Sequence, residues 1–261
     1  MGFNGKYFEV TVKPTIDVAA LAAGDITSAE VLFDWKAFDV PKGASRLIGV
    51  TMRYTGKNGV DYTPEDVELF WAKSINAEAP RTLGDDGAAV DTFGWFPNIL
   101  GKTYLDSSNG ANDGDLIMGN LVSAGAPGGG TLGQSNANNL PMNNQLVLQG
   151  EPESGTNVGY DALYVAGIAK GTHNWGASTM TVNGTMVTTS PVLTVADLSP
   201  VLSGVGPGDV LRDEDGNLFG TVKSVDSATQ ITFEDNLAHA SADDKLVYNT
   251  CPITLILSFE K

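Results

Sequence analysis

Cysteine is almost absent from this chain. Cys251 stands alone among 261 residues, so an intrachain disulfide cannot form and a zinc site built on cysteines is excluded. Beside Pro252 it reads as a small apolar core residue. Histidine is nearly as scarce: His173, in Gly171-Thr172-His173-Asn174-Trp175-Gly176, and His239, in Leu237-Ala238-His239-Ala240, lack the spacing of a zincin and read as turn or surface residues. Basic residues are few, with 15 Lys and Arg against 31 acids and a formal net charge of −16. None lies between Lys102 and Lys170, and residues 192–250 set ten acids against three bases. Nucleic acid is not an expected partner, because binding a phosphate backbone requires clustered Lys and Arg. No segment has the regions of a signal peptide and no apolar run reaches membrane-span length, which predicts a soluble chain with no membrane partner.

Catalytic signatures are missing too. There is no G-x-S-x-G elbow or S-x-x-K pair, and Gly56-Lys57 and Gly101-Lys102 lack the upstream glycine and following Ser or Thr of a P-loop. The acid clusters Asp85-Asp86, Asp213-Glu214-Asp215, Glu234-Asp235 and Asp243-Asp244 could ligate calcium or act as paired glycosidase carboxylates. The nearest to a calcium loop, Asp213-Glu214-Asp215-Gly216-Asn217, lacks a third spaced ligand and the distal Glu, and a DG hairpin accounts for it. The expectation is a non-enzyme with no catalytic, cofactor-binding or metal-ligating residue.

What is abundant is turn chemistry. Thirty-one glycines and 12 prolines suit many short strands, and the expected class is all-β. Strand patterns fall at Lys6–Val12, Glu30–Val40, Ser45–Thr55 and Val67–Lys73. Others fall near Asn98–Leu105, Gln145–Gln149, Tyr160–Ala169, Met180–Met186 and Ile253–Phe259. Glu30–Val40 and Ser45–Thr55, joined by Pro41-Lys42-Gly43, are expected to be antiparallel neighbours. One short helix is expected over Asp17–Ala23, with Asp17 accepting from its first amides and Gly24 closing it. Eight or so strands with long connections favour a two-sheet sandwich of jelly-roll type.

Residues 192–250 read as a small SH3-like β-barrel inserted into that sandwich. The first domain is then discontinuous, 1–191 plus 251–261, because the apolar strand Ile253–Phe259 must pair inside its sheet. Within the insert, Gly208-Asp209 opens a strand, Asp215-Gly216 forms a tight hairpin, and Gly220-Thr221-Val222 and Ile231-Thr232-Phe233 return. This run, closed by Leu246-Val247-Tyr248 and the terminal strand, resembles virion proteins of tailed bacteriophages, especially marine phages. The resemblance covers mainly residues 160–261. It implies a capsid decoration or cement protein in the virion, made in the host cytoplasm. The implied partners are the major capsid protein or other virion proteins and further copies of itself on the particle. A tail, baseplate or fibre-adaptor protein is the alternative within this class; a carbohydrate-binding module or glycan hydrolase is the alternative outside it.

Candidate contact residues follow from exposure and composition. Ser107–Gln145 holds eight glycines and eight asparagines in 39 residues, a loop long enough to imply a contact between chains in assembly or, as the alternative, packing within its own chain. Its apolar positions Leu116, Ile117, Met118, Leu132, Leu140 and Met142 are candidates for an interface. Trp95 and Phe96, in Phe93-Gly94-Trp95-Phe96-Pro97, and Trp175 flank glycines in loops and join them. Trp35 and Trp71 are in phase with apolar strand positions and read as core.

Overall fold

The computed structural model describes residues 7–55, 65–76, 78–91, 98–105, 107, 112–113, 116–119, 146–148, 151–152, 160–175, 178–196 and 204–261. The protein is mostly β, with several antiparallel sheets and one nearly closed six-stranded barrel. In the first sheet Ile253–Glu260 is central, pairing Tyr7–Val12 on one side and Ser45–Tyr54 on the other. Its alternation explains the place: Ile253, Leu255, Leu257 and Phe259 are all buried, while Thr254, Ile256, Ser258 and Glu260 are half-buried. The expected homing of this strand into the larger domain's sheet holds. In the second sheet Tyr160–Ala169 lies between Val31–Pro41 and Val67–Lys73, and Ile99–Leu105 follows outside.

Both sheets contribute to one core, with Leu47, Met52 and Leu255 from the first and Leu32, Leu69 and Val165 from the second. Phe38 bridges them, standing edge-on to Trp71 at 6.2 Å and 6.4 Å from Phe259. Trp71 is fully buried, as its phase predicts, and donates its indole N–H to Thr103 Oγ1 at 2.8 Å.

Val31–Pro41 and Ser45–Tyr54 are not neighbours, contrary to the sequence expectation. Gly43, at φ +110°, turns the chain from one sheet into the other, so consecutive strands face each other across the core. Nor does strict alternation persist in Val31–Pro41: Val31, Leu32 and Phe33 are all buried. The pairing slips on both sides of Gly167, where the ring of Phe33 occupies the space of a side chain. A Cβ on Gly167 would lie 2.4 Å from Phe33 Cε1, and Phe33 is itself fully buried. Gly167→Ala is therefore expected to destabilise the protein by about 1–3 kcal/mol, seen as a lower urea midpoint at unchanged slope.

The helix, Val18–Ala23, forms where expected, but the Asp17 side chain caps nothing. The first helical bond is Leu21 N–H to Asp17 O at 3.0 Å, and the Asp17 carboxyl is left for other work.

The barrel runs in the order Thr181–Val182, Val192–Ala196, Gln230–Phe233, Leu218–Ser227, Val210–Asp213, Val247–Asn249, and a bridge from Thr181 to Leu246 joins its ends. It has its own core, in which Met180, Leu193, Phe219, Ile231 and Phe233 are prominent. The boundary expected at Val192 falls inside the barrel, since Thr181–Val182 is its first strand. Met180–Met186 supplies only that two-residue strand. The other boundary also moves, because Tyr248 is buried in the core that the first two sheets share and Thr250 O accepts from Ile16 N–H at 2.7 Å. A further link crosses between the parts: Lys13 Nζ donates to Pro207 O at 2.7 Å and to the buried Asp209 carboxylate at 2.6 Å.

Candidate functional site

A cavity of about 270 Å³ opens beside the strand Val31–Pro41 of the second sheet. Three chain segments form it. Asp34, Trp35 and Lys36 come from the strand Val31–Pro41, Thr15 and Asp17 from the approach to the helix, and Thr82, Gly84, Asp85 and Asp86 from a loop. That loop is pinned by backbone bonds, Gly87 N–H to Val31 O at 2.8 Å and Asp91 N–H to Leu83 O at 2.8 Å. Leu83 is fully buried against Val31, Ala166 and Ile168 and anchors the loop to the sheet.

The functional groups are fixed in turn. Trp35 donates its indole N–H to Arg81 O at 2.8 Å. Asp34 Oδ1 accepts from Leu83 N–H at 3.0 Å, and Asp86 Oδ2 accepts from Asp17 N–H at 2.9 Å. Thr82 Oγ1 accepts from Gly84 N–H at 3.1 Å. Burial is the main cause that pushes the Asp86 carboxyl up to about 7, and the like charges of Asp17 and Asp34 add to it. Backbone N–H groups of Asp17 and Asp34 pull the other way and do not offset burial. A strongly shifted acid in a cleft, beside two further carboxylates and an indole, makes this the leading candidate site.

Sequence reasoning reached only fragments of it. Asp85-Asp86 stood out as an acid pair, but Trp35 was expected in the core; it is half-buried and lies among the residues that line the cavity. Its apolar neighbours belong to a small second cluster, which explains why its phase looked like core.

The candidate contact residues fare differently. Trp95, Phe96, Leu132, Leu140 and Met142 lie outside the described residues. Leu116, Ile117 and Met118, expected in a loop, form the strand Leu116–Gly119 of the first sheet and pair with Arg53, Met52 and Thr51, with Asn112–Asp113 paired outside them. Trp175 is a correction: it is 7% exposed and belongs to the main core. His173 is another, being fully buried rather than at a turn or surface. His173–Asn174 pairs with Asp25–Ile26, so residues 173 and 175 point the same way, inward. The imidazole stacks on Trp175 at 5.9 Å and on Tyr54 at 6.0 Å, and burial pushes its pKa down to about 4. The alternation His173, Trp175 about a polar Asn174 was the signal for this.

The Asp215-Gly216 turn forms where expected, and Asp213 holds it. Its Oδ1 accepts from Asp215 N–H at 3.1 Å and Asn217 N–H at 2.8 Å, and its Oδ2 accepts from Asn217 Nδ2 at 3.0 Å. Gly216 sits at φ +82°. Half-buried His239 lies 3.5 Å from the same carboxylate. Cys251 is buried, as expected. Comparison of the chain with protein families, with curated proteins and with solved structures yields no match.

Proposed function

We propose that this chain is a non-enzymatic structural protein of a tailed-bacteriophage virion, a decoration or cement protein that binds the lattice of major capsid protein and stabilises the head. In this reading the sandwich is jelly-roll-like and grips the shell, several copies sit together on the particle, and the SH3-like barrel projects or bridges to a neighbour. One observation carries the reading. The barrel has its own core, and Ser178 Oγ near its start donates to Val247 O near its end at 2.5 Å, so a compact module lies within the chain without interrupting the strands of the two larger sheets. The net charge of −16 favours cationic patches on the partner.

A protein that binds only the closed shell raises the free energy of opening it by mass action, and repetition over the lattice multiplies weak contacts. Particles lacking this protein should assemble but leak or burst at lower temperature, and added protein should restore them. Charge-mediated contacts should weaken as salt rises. Unchanged particle stability, together with cleavage of a polysaccharide that one carboxylate substitution abolishes, would replace this reading with a glycan hydrolase.

A further inference from the structure

We infer that the outer face of the first sheet is a self-association surface, on which a second copy of this chain docks about a two-fold axis at Ile256. The pairing register lays this face out in rows. Ser258 stands between Glu9 and Gly49, Ile256 between Thr11 and Thr51, and Thr254 beside Arg53. Glu9, Thr11 and Arg53 are exposed, and the three residues of the central strand are half-buried. Tyr7, at one corner, is 62% exposed, the most of any large apolar side chain among the described residues. A sheet face left to water is ordinarily polar throughout. Here the centre is short and β-branched, with an isoleucine in its middle row, and charge stands only around it.

Those charges fit a second copy. On the three strands Glu9 and Glu260 balance Arg46 and Arg53, so the face is neutral in a chain of net charge −16 and holds two of its four arginines, the cation that interfaces favour. Arg46 is paired with Glu260 at 3.4 Å. Among the described residues no carboxylate pairs with Arg53, and Glu9 accepts one long bond, 3.5 Å, from Ser258 Oγ. With strands about 4.8 Å apart and rows about 6.8 Å apart, Glu9 and Arg53 occupy opposite corners at equal distances from Ile256. A two-fold axis lying in the face, through Ile256 and across the line joining those corners, sets Glu9 of each copy on Arg53 of the other and Ile256 on its counterpart. Every contact is then made twice, as a two-fold interface requires. Thr11 comes to lie near Thr254 of the other copy and Thr51 near its Ser258, so hydroxyls meet hydroxyls, which both donate and accept. The axis runs diagonally to the strands, and the two sheets cross steeply, one of the two ways in which sheets stack. At about 0.15 M salt the Debye length is about 8 Å, so the remaining negative charge of the two copies is largely screened while contacts inside the face are not. The virion reading has several copies together on the particle without a surface by which they meet; this face supplies one, and its dimer holds for the free protein too.

The test is sedimentation equilibrium of the full chain at physiological salt, where a weak dimer of micromolar order is expected. Ile256→Lys points outward and spares the core, so it should leave a folded monomer. Glu9→Arg and Arg53→Glu should each weaken the dimer at least about tenfold, because like charges then meet at two places in every dimer. The two reversals combined should restore it. These exposed sites serve if Ile256→Lys does not fold. A chain that stays monomeric at millimolar concentration, a dimer that Ile256→Lys leaves unchanged, or a double reversal no tighter than either single one overturns the assignment. Particle stabilisation is measured separately, so the virion reading and the dimer can each fail alone.

Discussion

Replacing residues 179–245 with a short Gly-Ser linker should leave the two larger sheets cooperatively folded, whereas removing residues 192–250 should unfold them. The first excision cuts where the chain ends already touch, at Ser178 and Val247, and retains Leu246, Tyr248 and Thr250. Its losses are the barrel core except Val247, the pairing of Val247–Asn249 with Val210–Asp213, the Val210 carbonyl that accepts from Thr250 N–H, and the Lys13 contacts to Pro207 and Asp209. The second excision is the one the sequence suggests. It removes Tyr248 from the core of the two larger sheets and the Thr250 carbonyl that accepts from Ile16 N–H, and it strands Met180 and Val182 without a barrel. Losing a buried aromatic costs about 3–5 kcal/mol, a large share of the roughly 5–15 kcal/mol that stabilises a domain. Urea unfolding followed by circular dichroism distinguishes the two. If the 179–245 excision also loses its cooperative transition, the two cores fold as one unit and the barrel is not a separable module.

The sequence announced its strands because each satisfies a local rule. Ile253–Glu260 alternates without a break, and Val67–Lys73 places Val67, Leu69 and Trp71 on one face. Pairing is a different kind of information. Whether Val31–Pro41 joins Ser45–Tyr54 or Tyr160–Ala169 depends on a partner more than a hundred residues away, and local pattern carries no trace of it. The same holds for the cavity. Asp17, Asp34 and Asp86 are unremarkable acids in an acidic chain until the loop docks on the strand, and only that docking raises the Asp86 pKa. Trp175 was misjudged because its flanking glycines suggested a loop, while the fold closes that segment over the edge of the main core. The barrel's limits failed for a related reason: Thr181–Val182 is too short to register as a strand, yet it supplies the seam that brings the sheet back to Leu246.

Asp86→Asn should stabilise the protein, and the gain should grow with pH. In the folded chain Asp86 titrates near 7 instead of the usual 3.8, so between those values the folded state holds a proton that the unfolded state has released. Stability from this group is therefore full below about pH 3.8 and is lost as pH rises through 7. The asparagine keeps an acceptor for Asp17 N–H and removes the charge, which should yield on the order of 4 kcal/mol near pH 8 and less than about 1 kcal/mol near pH 4. His173 acts in the opposite sense. Its folded pKa of about 4 lies below the ordinary 6.5, so the unfolded chain binds the extra proton and stability rises with pH across that window, by about 3 kcal/mol in all. In the parent protein the two contributions oppose each other between pH 4 and 6.5 and largely cancel. In Asp86→Asn the histidine stands uncovered, and stability should climb over that range and then level off. Urea unfolding of both proteins near pH 4.5, 6.5 and 8 measures the gap between them, in which every other titrating group cancels. A gap that does not widen with pH would mean that Asp86 is ionised at little cost and that the cavity is wetter than its geometry implies.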